Sequence, residues 1–129
     1  HARHGGGNPL AAAVARVALR KLASDAIAAN VKKQSDALRT GLLAIDGELS
    51  LFAGIRGRGL MLGAVLKPEY AGRAGEALDH AAANGLLLLQ AGPDVLRFVP
   101  ALNISDADIA EGLARLRKAL QAFVAPKNG

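Results

Sequence analysis

The stretch Leu51-Phe52-Ala53-Gly54-Ile55-Arg56-Gly57-Arg58-Gly59-Leu60-Met61-Leu62-Gly63-Ala64-Val65-Leu66 decides the fold. Two short apolar runs, Leu51 to Ile55 and Leu60 to Leu66, flank the glycine- and arginine-rich segment 56–59, the pattern of a β-hairpin. Lys67-Pro68-Glu69 breaks the second run, and a helix is predicted from about Tyr70 to Ala83, with Ala71, Ala74, Leu78 and Ala81 inward. Asn84-Gly85 ends it, Gly85 suiting the left-handed position after a helix. Leu86 to Leu89 reads as a fully buried strand, Ala91-Gly92-Pro93-Asp94 as a turn, and Val95 to Val99 as another strand. Ser105 is the expected N-cap of a last helix, with Asp108 in an acidic capping box and Ile104 and Ile109 as a hydrophobic staple. The inward stripe of that helix is Ile109, Leu113, Leu116 and Leu120.

Upstream of the hairpin the chain is alanine-rich and helical in period. A first helix is predicted from Pro9 to about Ala23, with Leu10, Val14, Val17 and Lys21 in register. Ser24 then offers a second N-cap, followed by a stripe of Ile27, Val31, Leu38, Leu42 and Ile45 that stops near Asp46-Gly47. The expected fold is α/β (α+β): a long N-terminal helical arm, then a small, mostly antiparallel sheet covered by helices. The expected divisions are a loop remnant at 1–8, an inter-domain arm at 9–47 and a small α/β domain at 48–129.

Composition narrows the function. The 129 residues are 51% hydrophobic and only 3% aromatic, so aliphatic side chains must build the core. Cysteine is absent, which removes disulfides and thiolate chemistry. No apolar run spans a bilayer and no signal peptide is visible, so a soluble, cytoplasmic protein with no membrane role is expected. The net charge of +5 comes from dispersed cations, most of them beside Asp or Glu, with no aromatic stacking platform. Nucleic-acid binding is not expected.

Gly57-x-Gly59-x-x-x-Gly63 leads into a strand instead of opening a helix, so its glycines serve turns and close packing, not a dinucleotide. His1 and His4 lack partners with metal-ligand spacing, and His80, beside Asp79, reads as a surface residue. No metal site and no catalytic residue is assigned. Arg97 stands apart, a guanidinium inside the apolar run Val95-Leu96-Arg97-Phe98-Val99-Pro100. It needs either an exit to water or a planar anionic partner. Both readings stand: an outward-facing charge, or a bidentate carboxylate clamp at a cleft mouth.

The chain opens His1-Ala2-Arg3-His4-Gly5-Gly6-Gly7-Asn8-Pro9, where glycines precede an Asn N-cap and a Pro at the first helical position. Such glycines bring backbone close to an anion at a helix N-terminus. The opening therefore reads as the middle of a site, and the chain as the back part of a larger protein.

Taken in order, four segments resemble the C-terminal part of class III (fold-type I) pyridoxal-phosphate aminotransferases. They are His1…Gly6-Gly7-Asn8-Pro9-Leu10, Ile55-Arg56-Gly57-Arg58-Gly59-Leu60-Met61-Leu62-Gly63, Asn84-Gly85-Leu86 and Val95 to Ser105. Within that class the chain is most similar to the acetylornithine and succinylornithine aminotransferases, and 69–105 looks nearest the succinylornithine branch. The resemblance implies a homodimer whose subunits each have a large cofactor domain and a small C-terminal domain. It implies amino transfer between an N-acylornithine and 2-oxoglutarate through pyridoxal 5'-phosphate. The arginine at the position of Arg97 binds the substrate α-carboxylate in that family.

The family's Schiff-base lysine lies upstream of the Gly-Gly-Asn-Pro motif, so none of the lysines here has its context and this chain alone is expected to be inactive. Relatives also carry a threonine and an aromatic directly before that motif, the threonine binding the cofactor phosphate of the partner subunit. Here His4 and Gly5 occupy those places, and Arg3 and His4 are the candidates to attract that phosphate. Two rival readings remain: the small domain of another class III aminotransferase acting on ornithine or a different ω-amino substrate, and a free-standing, non-catalytic interaction module.

Overall fold

The computed structural model describes residues 9–126. Helix α1 runs unbroken from Pro9 to Leu49, 41 residues and about 60 Å at 1.5 Å per residue. The expected break at Ser24 does not occur. No glycine or proline lies between residues 10 and 40, and a lone serine costs only about 0.5 kcal/mol of helix propensity, too little to end an alanine-rich helix. Helix α1 also outruns the predicted stop at Gly47. It ends where Ser50 turns left-handed (φ 54°) and donates its N–H to the Asp46 carbonyl. The Asp46 carboxylate accepts from Leu51 N and Phe52 N at 2.8 and 2.7 Å, fixing the angle at which the chain enters the sheet.

Among the described side chains of α1, the buried ones lie in its C-terminal part. Leu38, Leu42 and Ile45 join the core, Val31 is half-buried, and Gln34 is buried between them, whereas Val17, Leu19, Leu22 and Ile27 are exposed. Ile27 therefore departs from the expected stripe. The side chains of Leu10 and Val14 lie outside the described ones.

Strands β1 (Phe52–Arg58), β2 (Met61–Leu66), β3 (Leu89–Gln90) and β4 (Val95–Phe98) form an antiparallel sheet in the order β1-β2-β4-β3. The hairpin is real, but its turn is tighter than expected: Arg56, Gly57 and Arg58 still pair with Gly63, Leu62 and Met61. Gly59 (φ 55°) and buried Leu60 alone make the turn. Gly57 is required by shape. Its φ is 111°, and a Cβ there would strike the Met61 carbonyl oxygen.

After a 3-10 turn at Pro68–Tyr70, helix α2 spans Ala74–Ala83, beginning later than predicted because Gly72 (φ 77°) intervenes. Its buried face is Ala74, Ala77 and Ala81, with Leu78 half-buried and Ala71 exposed outside the helix. Gly85 takes the left-handed position (φ 80°) and Leu86 N bonds the Ala81 carbonyl, closing the helix as expected.

The buried strand predicted at Leu86–Leu89 is not found. Residues 86–88 are irregular, Leu87 is 91% exposed, and pairing covers only Leu89–Gln90 at the sheet edge. A continuous leucine run resembles a strand covered on both faces, but this one meets a neighbour on one side only.

Helix α3 (Asp106–Val124) is capped as predicted, the Ser105 hydroxyl accepting from Asp108 N at 3.1 Å. Ile109, Leu116 and Leu120 are buried and Leu113 half-buried, and Ala119 and Phe123 extend the buried face beyond the predicted stripe. At Gly41 a Cβ would run into the Leu113 side chain, so this glycine lets α1 and α3 approach closely. Replacing Ser105 with Ala should lower stability by ~1 kcal/mol, read from urea unfolding, while Ser105→Asp should hold it.

Candidate functional site

Alternation along the strands divides the sheet into two faces. Leu62, Ala64 and Leu66 of β2 and Leu96 and Phe98 of β4 point into the core formed with α1, α2 and α3. The intervening residues point the other way. Arg97 is one of them, exposed and opposite Gly63 on one side and Leu89 on the other. Of its two sequence-level readings, the structure places the guanidinium on the outer face. Among the described residues, its side chain makes no hydrogen bond or ion pair.

That same face carries further arginines. Arg56 stands opposite Gly63, and Arg58 opposite Met61, so both share the side of the sheet occupied by Arg97. Arg39 of α1 donates to the carbonyls of Ile55 and Gly57, each at 3.3 Å, and so holds β1 at the level of the hairpin arginines. The outer face is open, with Met61 63% and Leu89 50% exposed.

The loop leaving β4 is tied to α1. Asn30 Nδ2 donates to the carbonyls of Leu102 (2.8 Å) and Ile104 (3.2 Å). Buried Gln34 donates to Asp106 Oδ1 at 2.6 Å, and the Lys33 ammonium meets Oδ2 at 2.9 Å. These residues fix the chain immediately after the Arg97 strand. Sequence reasoning passed over them, although Gln34 interrupts an apolar stripe at helical spacing, a pattern that marks a buried polar contact.

The Lys33 and Gln34 hydrogen bonds hold the Asp106 carboxyl below its usual range. A carboxyl whose folded pKa is depressed stabilises the fold fully above the ordinary Asp range and loses that contribution as pH falls through the folded value. The stability advantage of the native chain over Asp106→Asn should therefore be present at neutral pH and vanish on acidification below the ordinary Asp range. Denaturant titrations of both proteins across that window measure it.

Other chemistry is sparse. Arg3 and His4 lie outside the described residues. His80, read from sequence as a surface residue, is half-buried with its ring edge-on to Phe123 at 6.3 Å. Among the described residues, no group of His, Cys, Asp and Glu is arranged to hold a metal, and no helix is long and apolar enough to cross a membrane. An apolar groove of about 210 Å³ lies between Leu38, Leu86, Phe98, Ile109 and Leu116, on the core side of the sheet.

The described residues do not build a pyridoxal-phosphate site. Lys33 is engaged by Asp106, Lys21, Lys32 and Lys118 are exposed on helix surfaces, and Lys67 is half-buried just past β2. None is enclosed beside Arg97 in the way a ring held against a lysine requires. What these residues can do is bind anions on an open, arginine-bearing sheet face.

Comparison with known proteins places this arrangement. Acetylornithine aminotransferase of Xanthomonas campestris pv. campestris is 73% identical over 120 residues, covering 93% of this chain and 29% of the relative. Succinylornithine transaminase of Yersinia enterocolitica is 46% identical over 116 residues, covering 90% of this chain and 28% of the relative. Over nearly the whole chain, identity is thus higher to this acetylornithine enzyme than to this succinylornithine one. The solved N-acetylornithine aminotransferase of Stenotrophomonas maltophilia superposes with a TM-score of 0.78 at 69% identity, covering 92% of this chain and 33% of that one. The chain thus spans about three-tenths of the length of the relatives it matches. The aminotransferase class-III family model matches residues 1–120, and the chain belongs to that family.

Proposed function

We propose that this chain is the small C-terminal domain and connecting helix of an acetylornithine aminotransferase. The observation that carries this is the 73% identity to such an enzyme across 93% of the chain. In the whole enzyme the reaction moves an amino group between N-acetylornithine and 2-oxoglutarate, with pyridoxal 5'-phosphate supplying the electron sink. The whole enzyme is a cytoplasmic homodimer. Residues 1–8 belong to the cofactor-phosphate loop, where Arg3 and His4 supply positive charge. Helix α1 is the inter-domain arm, and the segment after it is the small domain.

Arg97 takes the substrate α-carboxylate. Its exposure on an open sheet face, with no carboxylate partner among the described residues, supports that role. A planar fork with two parallel N–H donors suits a carboxylate better than an ammonium does. The strand end that carries it is anchored by Asn30, Gln34 and Asp106, so the fork is presented from a fixed backbone.

The test is a substrate profile of the full-length enzyme, with 2-oxoglutarate as acceptor and N-acetylornithine, N-succinylornithine or ornithine as donor. The expected result is the highest kcat/KM with N-acetylornithine. A preference for free ornithine would move the chain to a different class III activity. An ornithine aminotransferase of Toxoplasma gondii shares the fold at 29% identity with a TM-score of 0.69, covering 95% of this chain and 29% of that one.

A further inference from the structure

Asn84 and Gly85 close helix α2, and the pair also carries latent chemistry of its own. When asparagine precedes glycine, the glycine nitrogen can attack the asparagine side-chain carbonyl carbon, because no Cβ shields it. The Gly85 nitrogen gives its proton to solvent base and bonds to Asn84 Cγ, while the Cγ–Nδ2 bond breaks and ammonia leaves. Water then opens the cyclic imide at either carbonyl, leaving aspartate or isoaspartate. Asn84 is half-buried and Gly85 exposed, so water reaches the pair.

The fold holds this pair away from the reactive geometry. Asn84 has ψ 14°, which turns the Gly85 nitrogen toward Asn84's own amide. Ring closure needs that nitrogen beside Cβ, about a third of a revolution around the Cα–C bond. Three hydrogen bonds oppose the rotation. Gly85 N donates to the Ala82 carbonyl at 3.0 Å, and Asn84 Nδ2 to the His80 carbonyl at 2.9 Å. Arg115 Nη1 donates to the Asn84 carbonyl at 3.2 Å. The nucleophile, the side chain it would attack and the carbonyl that must swing are thus each held by a different partner. Of these partners only Arg115 comes from another element, α3, where Glu111 pairs with it at 3.3 Å. A Cβ on residue 85 would strike the Arg115 guanidinium, so the glycine that makes the pair reactive also admits its restraint.

We propose that Asn84 is a self-modification site, converting to aspartate and isoaspartate when the end of α2 opens, with Arg115 of α3 as its restraint. The product acts on the fold directly. A carboxylate replaces the amide that donates to the His80 carbonyl, and isoaspartate adds a backbone carbon beside Gly85 (φ 80°). Both changes loosen the turn that delivers Leu86 to the apolar groove against Phe98 and Ile109. This chemistry is independent of the role of Arg97.

The experiment is peptide mapping of the full-length protein by mass spectrometry, with isoaspartate distinguished from aspartate. Native, Arg115→Ala and Arg115→Lys proteins are aged at mildly alkaline pH, folded in buffer and unfolded in guanidinium chloride. The same dipeptide recurs at Asn128-Gly129, outside the described residues, and maps to a different peptide. Unfolded, each protein should convert Asn84 at the same rate and yield both products. Folded native protein should be slower by about tenfold or more, the worth of the hydrogen bonds that must break. Folded Arg115→Ala should convert about three- to tenfold faster than folded native protein, the share of one charged bond. Arg115→Lys keeps a donor and should fall between, so it carries the test if circular dichroism shows the Ala variant unfolded. The proposal is overturned if unfolded protein forms no isoaspartate at Asn84, or if folded and unfolded native protein react at equal rates. It is overturned equally if neither folded variant reacts faster than native.

Discussion

Replacing Phe123 with Ala is expected to destabilise the domain by ~3–5 kcal/mol, the usual cost of emptying a buried aromatic site. Phe123 is 1% exposed and is the place where three elements meet. Its ring lies 5.5 Å from that of Tyr70 and edge-on to His80, and the Arg73 guanidinium sits 4.6 Å above it. Arg73 also reaches the Phe123 carbonyl and forms a two-bond pair with Glu76 in the first turn of α2. Removing the ring therefore empties a cavity and leaves a cation without its aromatic face. Leu should recover much of the loss by refilling the volume, without restoring the aromatic contacts. Urea unfolding followed by circular dichroism reads both variants. A loss below ~1 kcal/mol for Ala would mean that α3 does not close the core as described.

Replacing Arg97 with Gln is expected to weaken binding of both amino donor and acceptor by ~2–4 kcal/mol, the range for truncating one side of a charged, desolvated pair. That corresponds to roughly 30- to 800-fold in affinity. Arg97→Lys should lose less, because the charge remains while the parallel donors go. Stability should hardly change in either variant, since the side chain is exposed and its strand is held by inward Leu96 and Phe98. The separation of a large binding effect from a negligible stability effect distinguishes this site from Phe123.

Much of this was legible in the residues because local chemistry and tertiary structure agreed. The hairpin followed from apolar runs around glycines, and the α3 cap followed from Ser105 with Ile104 and Ile109 beside it. The C-terminal stripe of α1 was visible because Leu38, Leu42 and Ile45 follow helical spacing. The misreadings had physical causes as well. Ser24 has cap chemistry, but nothing beside it stops the helix, so propagation wins over a single favourable cap. The leucines at 86–89 are apolar without being enclosed, because enclosure depends on neighbours that a one-chain pattern does not contain.

The candidate site was only half legible. Arg97 announced itself as a charge in an apolar strand. That Arg56 shares its sheet face did not show, because glycines and a second arginine surround it and the face is set only by register across two strand pairings. Asn30, Gln34 and Asp106 were hidden for a related reason. They meet over more than 70 positions of sequence, and no local pattern encodes that contact.

The central claim is that the Arg97 guanidinium reads a substrate carboxylate. The most direct measurement compares N-acetylornithine with its α-carboxamide analogue, in native enzyme and in Arg97→Gln. The native enzyme should prefer the carboxylate strongly, and the variant should lose most of that preference, a coupling of ~2 kcal/mol or more. An unchanged preference in the variant would contradict the claim and assign the carboxylate to another residue.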